Sequence, residues 1–382
     1  MLFVLFLALT VFLSGTTMAQ DVPPTFCGDL AAADCTILTD SAAAMRELNS
    51  AAFNFQFDFG MSNIPEADID SLNLRLAGKG AYAIEPGTLD ALMALSSPTE
   101  MMQNLEALPA MMEEAVKAIA ADVTLVLYPP QNLPDMDQPL PERVGLSLRM
   151  VDGVGYVNLD KLAELDTSGE LPRGWIGLDL AGLLREAMAQ QGDMMDSMPD
   201  MSNMMNMDMF SAFTTPEFMG SFMTITRGAD TSIDGQTAAV FNQAIDLGAL
   251  YSNPELAVMM REQMQTMIQS MGGSSTDINP AEMEQMMGVF AVLFDGFVID
   301  MTQTIGLDDQ YVHQMSVTLD WALDLSRMGA LMGESNVPDM QPMNLNIAFQ
   351  AGLSQFNNAP TISAPENAQM VPLRSLMGGG RF

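Results

Sequence analysis

The stretch from Tyr311 to Leu325 alternates without a break. Tyr311, His313, Met315, Val317, Leu319, Trp321, Leu323 and Leu325 fall on one side, and Val312, Gln314, Ser316, Thr318, Asp320, Ala322 and Asp324 on the other. Period 2 marks a strand with one face toward an apolar interior and one toward water. At roughly 3.3 Å per residue it would run about 50 Å, well past the usual ~17 to 20 Å. Right-handed twist accumulates over such a length, so a one-sided sheet built on it must curl around its apolar face.

The same alternation recurs along the chain. Phe53, Phe55, Phe57 and Phe59 share one face against Asn54, Gln56 and Asp58; Leu72, Leu74 and Leu76 come next, in a strand ending near Tyr82. Further alternating runs are Val123 to Leu127, Val144 to Met150, Val154 to Leu159, a short one from Trp175, Phe222 to Arg227, Thr237 to Leu247, Phe297 to Ile305 and Met343 to Leu353. With the long stretch they make roughly eleven strands. Asp152-Gly153 and Asp234-Gly235 are tight-turn signals; the second predicts a hairpin between the runs ending at Arg227 and starting at Thr237. Helical segments interrupt the series without βαβ regularity, which predicts an antiparallel α+β fold.

Thr36 to Ser50 reads as a short amphipathic helix with Leu38, Met45 and Leu48 apolar. Four further helix starts share a cap residue before Pro and Glu, at Ser97-Pro98, Thr215-Pro216, Asn253-Pro254 and Asn279-Pro280. A side-chain oxygen satisfies an orphan N–H, proline suits the first helical position, and the carboxylate complements the helix dipole. Apolar stripes come after these starts, one from Met101 to Ile119 with an interruption or kink near Pro109, and others rich in methionine. Core packing is the default for such stripes, although the flexible thioether also suits a surface that repacks around varied apolar partners.

Leu2 to Leu13 is an apolar run of signal-peptide length, too short to span a bilayer, and Thr17-Met18-Ala19 offers a small-x-small cleavage site, although no Lys or Arg precedes the run. The expected organisation is therefore a signal peptide over residues 1–19, an N-terminal helical segment over 20–50, one domain over 51–375 with Met-rich helical insertions, and a flexible tail over 376–382. A signal peptide implies export to a periplasmic or extracellular compartment. Cys27 and Cys35 are the two cysteines, and in an exported chain they predict one disulfide. No cysteine closely succeeds the apolar run, so a lipoprotein anchor is not expected.

Fourteen Lys and Arg against 48 Asp and Glu give a formal net charge of -34. Such a surface repels phosphate backbones and anionic membranes, which excludes nucleic acid as the expected partner. The carboxylates are scattered and form no calcium-loop pattern. His313, the single histidine, falls in the apolar register of the long strand, and no nucleophile motif, zinc motif or phosphate-cradling loop occurs, so no enzyme and no cofactor are expected.

Three stretches carry a resemblance: R-M-V-D-G-V-G-Y-V-N-L and then G-W-I-G-L, next T-S-I-D-G-Q-T-A-A-V-F, and N-N-A-P-T-I-S-A-P-E-N-A after the last strand. Their order is similar to the LolA-like superfamily, in particular exported lipid-binding proteins of the LppX/LprG type. The resemblance implies a long, strongly bent antiparallel sheet, an unclosed half-barrel, with helices over its concave face. It also implies a carrier for lipid or another long apolar molecule, in transient contact with a membrane or a lipid-handling partner. Alternation then nominates Phe53, Phe55, Phe57, Leu146, Leu148, Phe241, Met315, Leu319 and Trp321 as cavity walls, roofed by Met260, Met264, Met267 and Met287. Two alternatives stand beside this. One is a filled core in a cell-surface structural protein. The other is a copper(I) site built from the soft thioethers of Met194, Met195, Met198, Met201, Met204, Met205, Met207 and Met209.

Overall fold

The computed structural model describes residues 25–64, 71–88, 107–130, 141–166, 171–186, 216–253, 288–324 and 341–372, with Gly169, Val258 and Arg327. The fold is α+β and is dominated by one curled, unclosed sheet, of thirteen strands among the described residues. In chain order these are β1 (Ser50–Ser62), β2 (Ser71–Ile84), β3 (Ile119–Tyr128), β4 (Val144–Val151), β5 (Val154–Asn158), β6 (Trp175–Asp179), β7 (Met223–Arg227), β8 (Thr231–Ile233), β9 (Gln236–Asp246), β10 (Val298–Gly306), β11 (Val312–Leu323), β12 (Met343–Ser354) and β13 (Gln369–Met370). Helices α1 (Ala32–Arg46), α2 (Leu108–Lys117), α3 (Asp160–Ala163), α4 (Pro216–Met219) and α5 (Leu247–Ser252) interrupt them.

The strand order is β13-β6-β5-β4-β3-β2-β1-β12-β11-β10-β9-β7, with β8 also on β9. Two antiparallel meanders therefore meet at the β1–β12 pair, and the β13–β6 contact is parallel. The long alternating stretch forms β11, paired with β12 on one side and β10 on the other. The two strands beyond the expected eleven are the shortest, β8 and β13. Asp152-Gly153 turns β4 into β5 with both residues at positive φ, 52° and 77°, the geometry that matches strand twist in a two-residue hairpin. Asp234-Gly235, at 50° and 84°, does the same, but it joins β9 to β8 rather than to β7; both neighbours pair with β9 at different heights.

Helix α1 begins four residues before the expected start, because the Ala31-Ala32-Ala33 run is as good a helix former as the residues after it. Cys27 and Cys35 are joined in a disulfide that ties its first turns to the preceding segment. Pro109 lies in the first turn of α2, where a missing N–H costs nothing, rather than at a kink. Of the four Pro-marked helix starts, α4 begins at Pro216; Asn253 is described as the residue that closes α5, while Pro254 and the starts at Ser97-Pro98 and Asn279-Pro280 lie outside the described residues.

On β2 the rings of β1 replace side chains. A Cβ on Gly78 would stand 2.4 Å from the Phe55 ring and 3.0 Å from Leu125, and one on Gly80 would meet the Asp122 carbonyl at 2.0 Å and the Phe53 ring at 3.1 Å. The aromatic side chains of one strand thus cover the backbone of the next, as in aromatic rescue of strand glycines. Gly78→Val is expected to destabilise by about 1 to 3 kcal/mol through overpacking, whereas Lys79→Val, on the solvent face, stays within about 0.5 kcal/mol. Urea titration of both variants checks this; equal midpoints would contradict the packing account.

Candidate functional site

Directly opposite residues in an antiparallel ladder share a face, so the register identifies the interior side chain by side chain. One row runs Phe241, Gln303, Met315, Ala351, Phe55, Gly78, Leu125, Leu146 across eight strands. The next runs Gln243, Met301, Val317, Phe349, Phe57, Leu76, Leu127, Val144, and a third Ile245, Ile299, Leu319, Ile347, Phe59, Leu74. Every wall residue nominated from the sequence on β1, β4, β9 and β11 lies on this face, with Leu148 one row before the first and Trp321 one row beyond the third.

Burial varies along the strands. At the end where α1 enters β1, Phe241, Ala239 and Ile305 are buried against Leu38 of α1 and Ile225, with Phe26 and Leu30 beside them. Phe241 therefore belongs to the core beneath α1. Phe55, Val123 and Leu125 form a second cluster with Phe53, Leu146 and Leu148 packed against it. Further along, Phe57, Phe59, Val317, Leu319, Ile347 and Phe349 are only part-buried. At the far end Trp321 donates its Nε1–H to the Leu293 carbonyl at 2.9 Å and stacks with Phe294, which stacks in turn on Tyr251 at 4.6 Å between centroids. Helical residues 288–293 and α5 thus lie against that end of the face.

The face carries almost no free charge among the described residues. Arg227, opposite Phe241 on the edge strand β7, lies 5.2 Å over the Phe241 ring and pairs with Asp34 of α1 at 3.3 Å and with Asp230. Burial pushes the Tyr82 phenol up to about 12, so it stays neutral. His313 is the extra residue where the β10–β11 register shifts between Thr304 and Ile305. It is 3% exposed, its Nε2 2.9 Å from Asp309 Oδ2 and its Nδ1 3.2 Å from Asp234 Oδ2, with its ring edge-on to Phe356. Gln236 donates to the same Asp309 oxygen at 2.7 Å and accepts from the Asp308 N–H, so the β8–β9 and β10–β11 turns are fastened together. The histidine is thus one member of a network that holds two turns in place.

An open cleft of about 770 Å³ lies elsewhere, beside α2, lined by Glu85, Thr88, Met111, Glu114, Lys117 and Asp152 among others. None of the nominated wall residues lines it. Met260, Met264, Met267, Met287 and the methionines from Met194 to Met209 lie outside the described residues. Among the described residues no group of three or more His, Cys, Asp or Glu could hold a metal ion, and no helix is long and apolar enough to cross a membrane. Sequence reasoning missed the contributions of β12 and β3, although both alternate, and the two glutamines that fall on the apolar face.

The chain matches no protein-family model and no curated protein. Among solved structures it is similar to LprF from Mycobacterium bovis, at 12% identity and a TM-score of 0.29, over 86% of this chain and 95% of that chain. It is also similar to the Mycobacterium tuberculosis lipoprotein LppX, at 10% identity and a TM-score of 0.27, over 86% and 97%. A third is an outer membrane lipoprotein-sorting protein domain from Vibrio parahaemolyticus, at 8% identity and a TM-score of 0.16, over 84% and 89%.

Burial opposes the Asp309 charge, but hydrogen bonds from Gln236, the Tyr311 N–H and His313 outweigh it and hold the carboxyl below the ordinary aspartate value. A depressed folded-state pKa contributes stability that is fully present above the unfolded value, about 3.9, and is lost as pH falls through the folded one. Urea midpoints measured from pH 7 downward should therefore fall more steeply below about pH 4 in the parent than in Asp309→Asn, which starts lower. Parallel curves would show that the network contributes no acid-sensitive stability.

Proposed function

We propose that this protein is an exported, non-catalytic carrier of a lipid or another long apolar molecule, held against the concave face of the half-barrel. The observation that carries this reading is the contrast along that face: closed under α1 at one end, yet part-buried from Phe57 and Phe59 across Ile347 and Phe349 to Val317 and Leu319. A globular core gains by burying such side chains fully, and rows of part-buried apolar side chains on a concave face suit the apolar chain of another molecule. At about 0.8 kcal/mol per buried CH₂, a sixteen-carbon chain gains on the order of 12 kcal/mol before ordering costs, enough for retention.

The Cys27–Cys35 disulfide supports an oxidising compartment and hence export. The burial of His313 between two aspartates supports a role without catalysis. Contact with a membrane or a lipid-handling partner belongs to the same proposal, since a carrier must load and unload.

Mass spectrometry of organic extracts from the purified protein is expected to find a stoichiometric long-chain molecule. Leu319→Asp, which places a charge on the part-buried stretch, is expected to lose it while keeping a cooperative thermal transition. Lipid-free parent protein, together with a Leu319→Asp variant that fails to fold, would identify a filled core and remove the carrier reading.

A further inference from the structure

In the three rows, two crossing from β9 to β4 and the third from β9 to β2, two side chains are polar, Gln303 in the first and Gln243 in the second. Both stand on neighbouring strands: Gln303 is opposite Phe241, and Gln243 is opposite Met301. They are therefore diagonal neighbours, about 7 to 8 Å apart along that diagonal. Both are part-buried, at the border where the closed end beneath α1 gives way to the part-buried stretch.

Neither amide has a strong partner among the described residues, and no atom of either is both buried and unpartnered, so their free ends reach solvent. The Gln303 Nε2 donates to the Met301 thioether at 3.5 Å, a weak acceptor, and its Oε1 has no hydrogen-bond partner among the described residues. The Gln243 amide has none at either end among the described residues. Other polar groups on the face differ in this respect: Arg227 is held by Asp34 and Asp230, and Trp321 by the Leu293 carbonyl. Solvated amides on an otherwise apolar face are free to exchange their water for a ligand's polar groups, and a ligand that covers them without replacing that water leaves them bare at a cost.

We propose that Gln243 and Gln303 are the polar anchor of the hollow, and that they select an uncharged amphiphile bearing both an ester carbonyl and a hydroxyl, as in a partial glyceride. This rests on the carrier reading and deepens it. The two amides offer N–H donors for a carbonyl and carbonyl acceptors for a hydroxyl, so a ligand with both groups satisfies them where a hydrocarbon leaves them bare. A carboxylate or phosphate would enter an apolar face whose Arg227 is already paired, inside a chain of net charge -34. Desolvation without a counter-cation disfavours such anions. The apolar chain of the ligand would then run along the part-buried rows, from Phe57 and Val317 toward Phe59 and Leu319.

The test uses one pyrenyl fatty chain presented in three forms: the glycerol monoester, the free carboxylate and the plain hydrocarbon. Fluorescence titration of the full-length protein is expected to show the monoester bound roughly tenfold more tightly than the other two, the yield of one or two net hydrogen bonds. In the Gln243→Leu/Gln303→Leu double variant that advantage should vanish, with hydrocarbon affinity retained as the internal check on folding. An advantage that survives the double substitution, or tightest binding of the carboxylate, overturns the anchor. Equal binding of all three forms by the parent overturns the anchor and leaves the carrier reading standing. Failure of every form to bind overturns both.

Discussion

The pairing of β1 with β12 is the contact on which the rest of the structure depends. Eleven directly opposed pairs run from Ala52 and Ser354 to Ser62 and Asn344, and they join the first long strand of the chain to the last. Apart from the β13–β6 contact, the neighbours within each half of the sheet lie close in strand order along the chain; the seam closes a far longer loop, from Ala52 to Ser354, at a greater entropic cost. Its end is locked by side chains. Asn357 donates its backbone N–H to the Ser50 carbonyl at 2.7 Å and accepts from the Asn49 N–H at 2.8 Å, while Tyr311 stacks on Phe356. With the seam in place every row of the apolar face is continuous, and without it the two meanders would each expose half of a hydrophobic surface.

Packing on the inner face and charge pairing on the outer one accompany that continuity. The glycines opposite Phe53 and Phe55 leave room for the rings to lie against the neighbouring backbone. On the outer face, Asp58 pairs with Arg75 and Asp122 with Arg149. A strongly acidic protein thus encloses an interior whose Arg227 is itself paired. The Arg149 side chain also donates to the Ser363 carbonyl at 2.9 Å, so the segment after β12 is strapped across the outside on its way to pair as β13 with β6.

Much of this was legible in the sequence because period-2 alternation is a local property. The face assignment of Phe53, Phe55, Leu146, Met315 and Leu319 needs no knowledge of the partners. Their fates, however, depend on register and on what packs above them. Phe241 and Leu319 share the same alternation, yet the first is fully buried beneath α1 and the second part-buried. Nothing within either strand distinguishes them. The three-residue β8 and two-residue β13 carry too few residues for any pattern, and the second is made by long-range pairing alone. The glutamines at 243 and 303 stood in apolar registers and could have been noticed as exceptions, but their adjacency requires the β9–β10 register.

The central claim is that the part-buried rows of this face, and no other surface, receive a long apolar chain. Photolabelling with an alkyl diazirine, with residue-level mapping of the adducts, tests it most directly. The account predicts saturable labelling of Phe57, Val317, Leu319 and Ile347, with the alternate residues Asp58, Thr318 and Ala348 unlabelled. Labelling concentrated on Met111 and the cleft beside α2, or labelling without saturation on both faces alike, would contradict it.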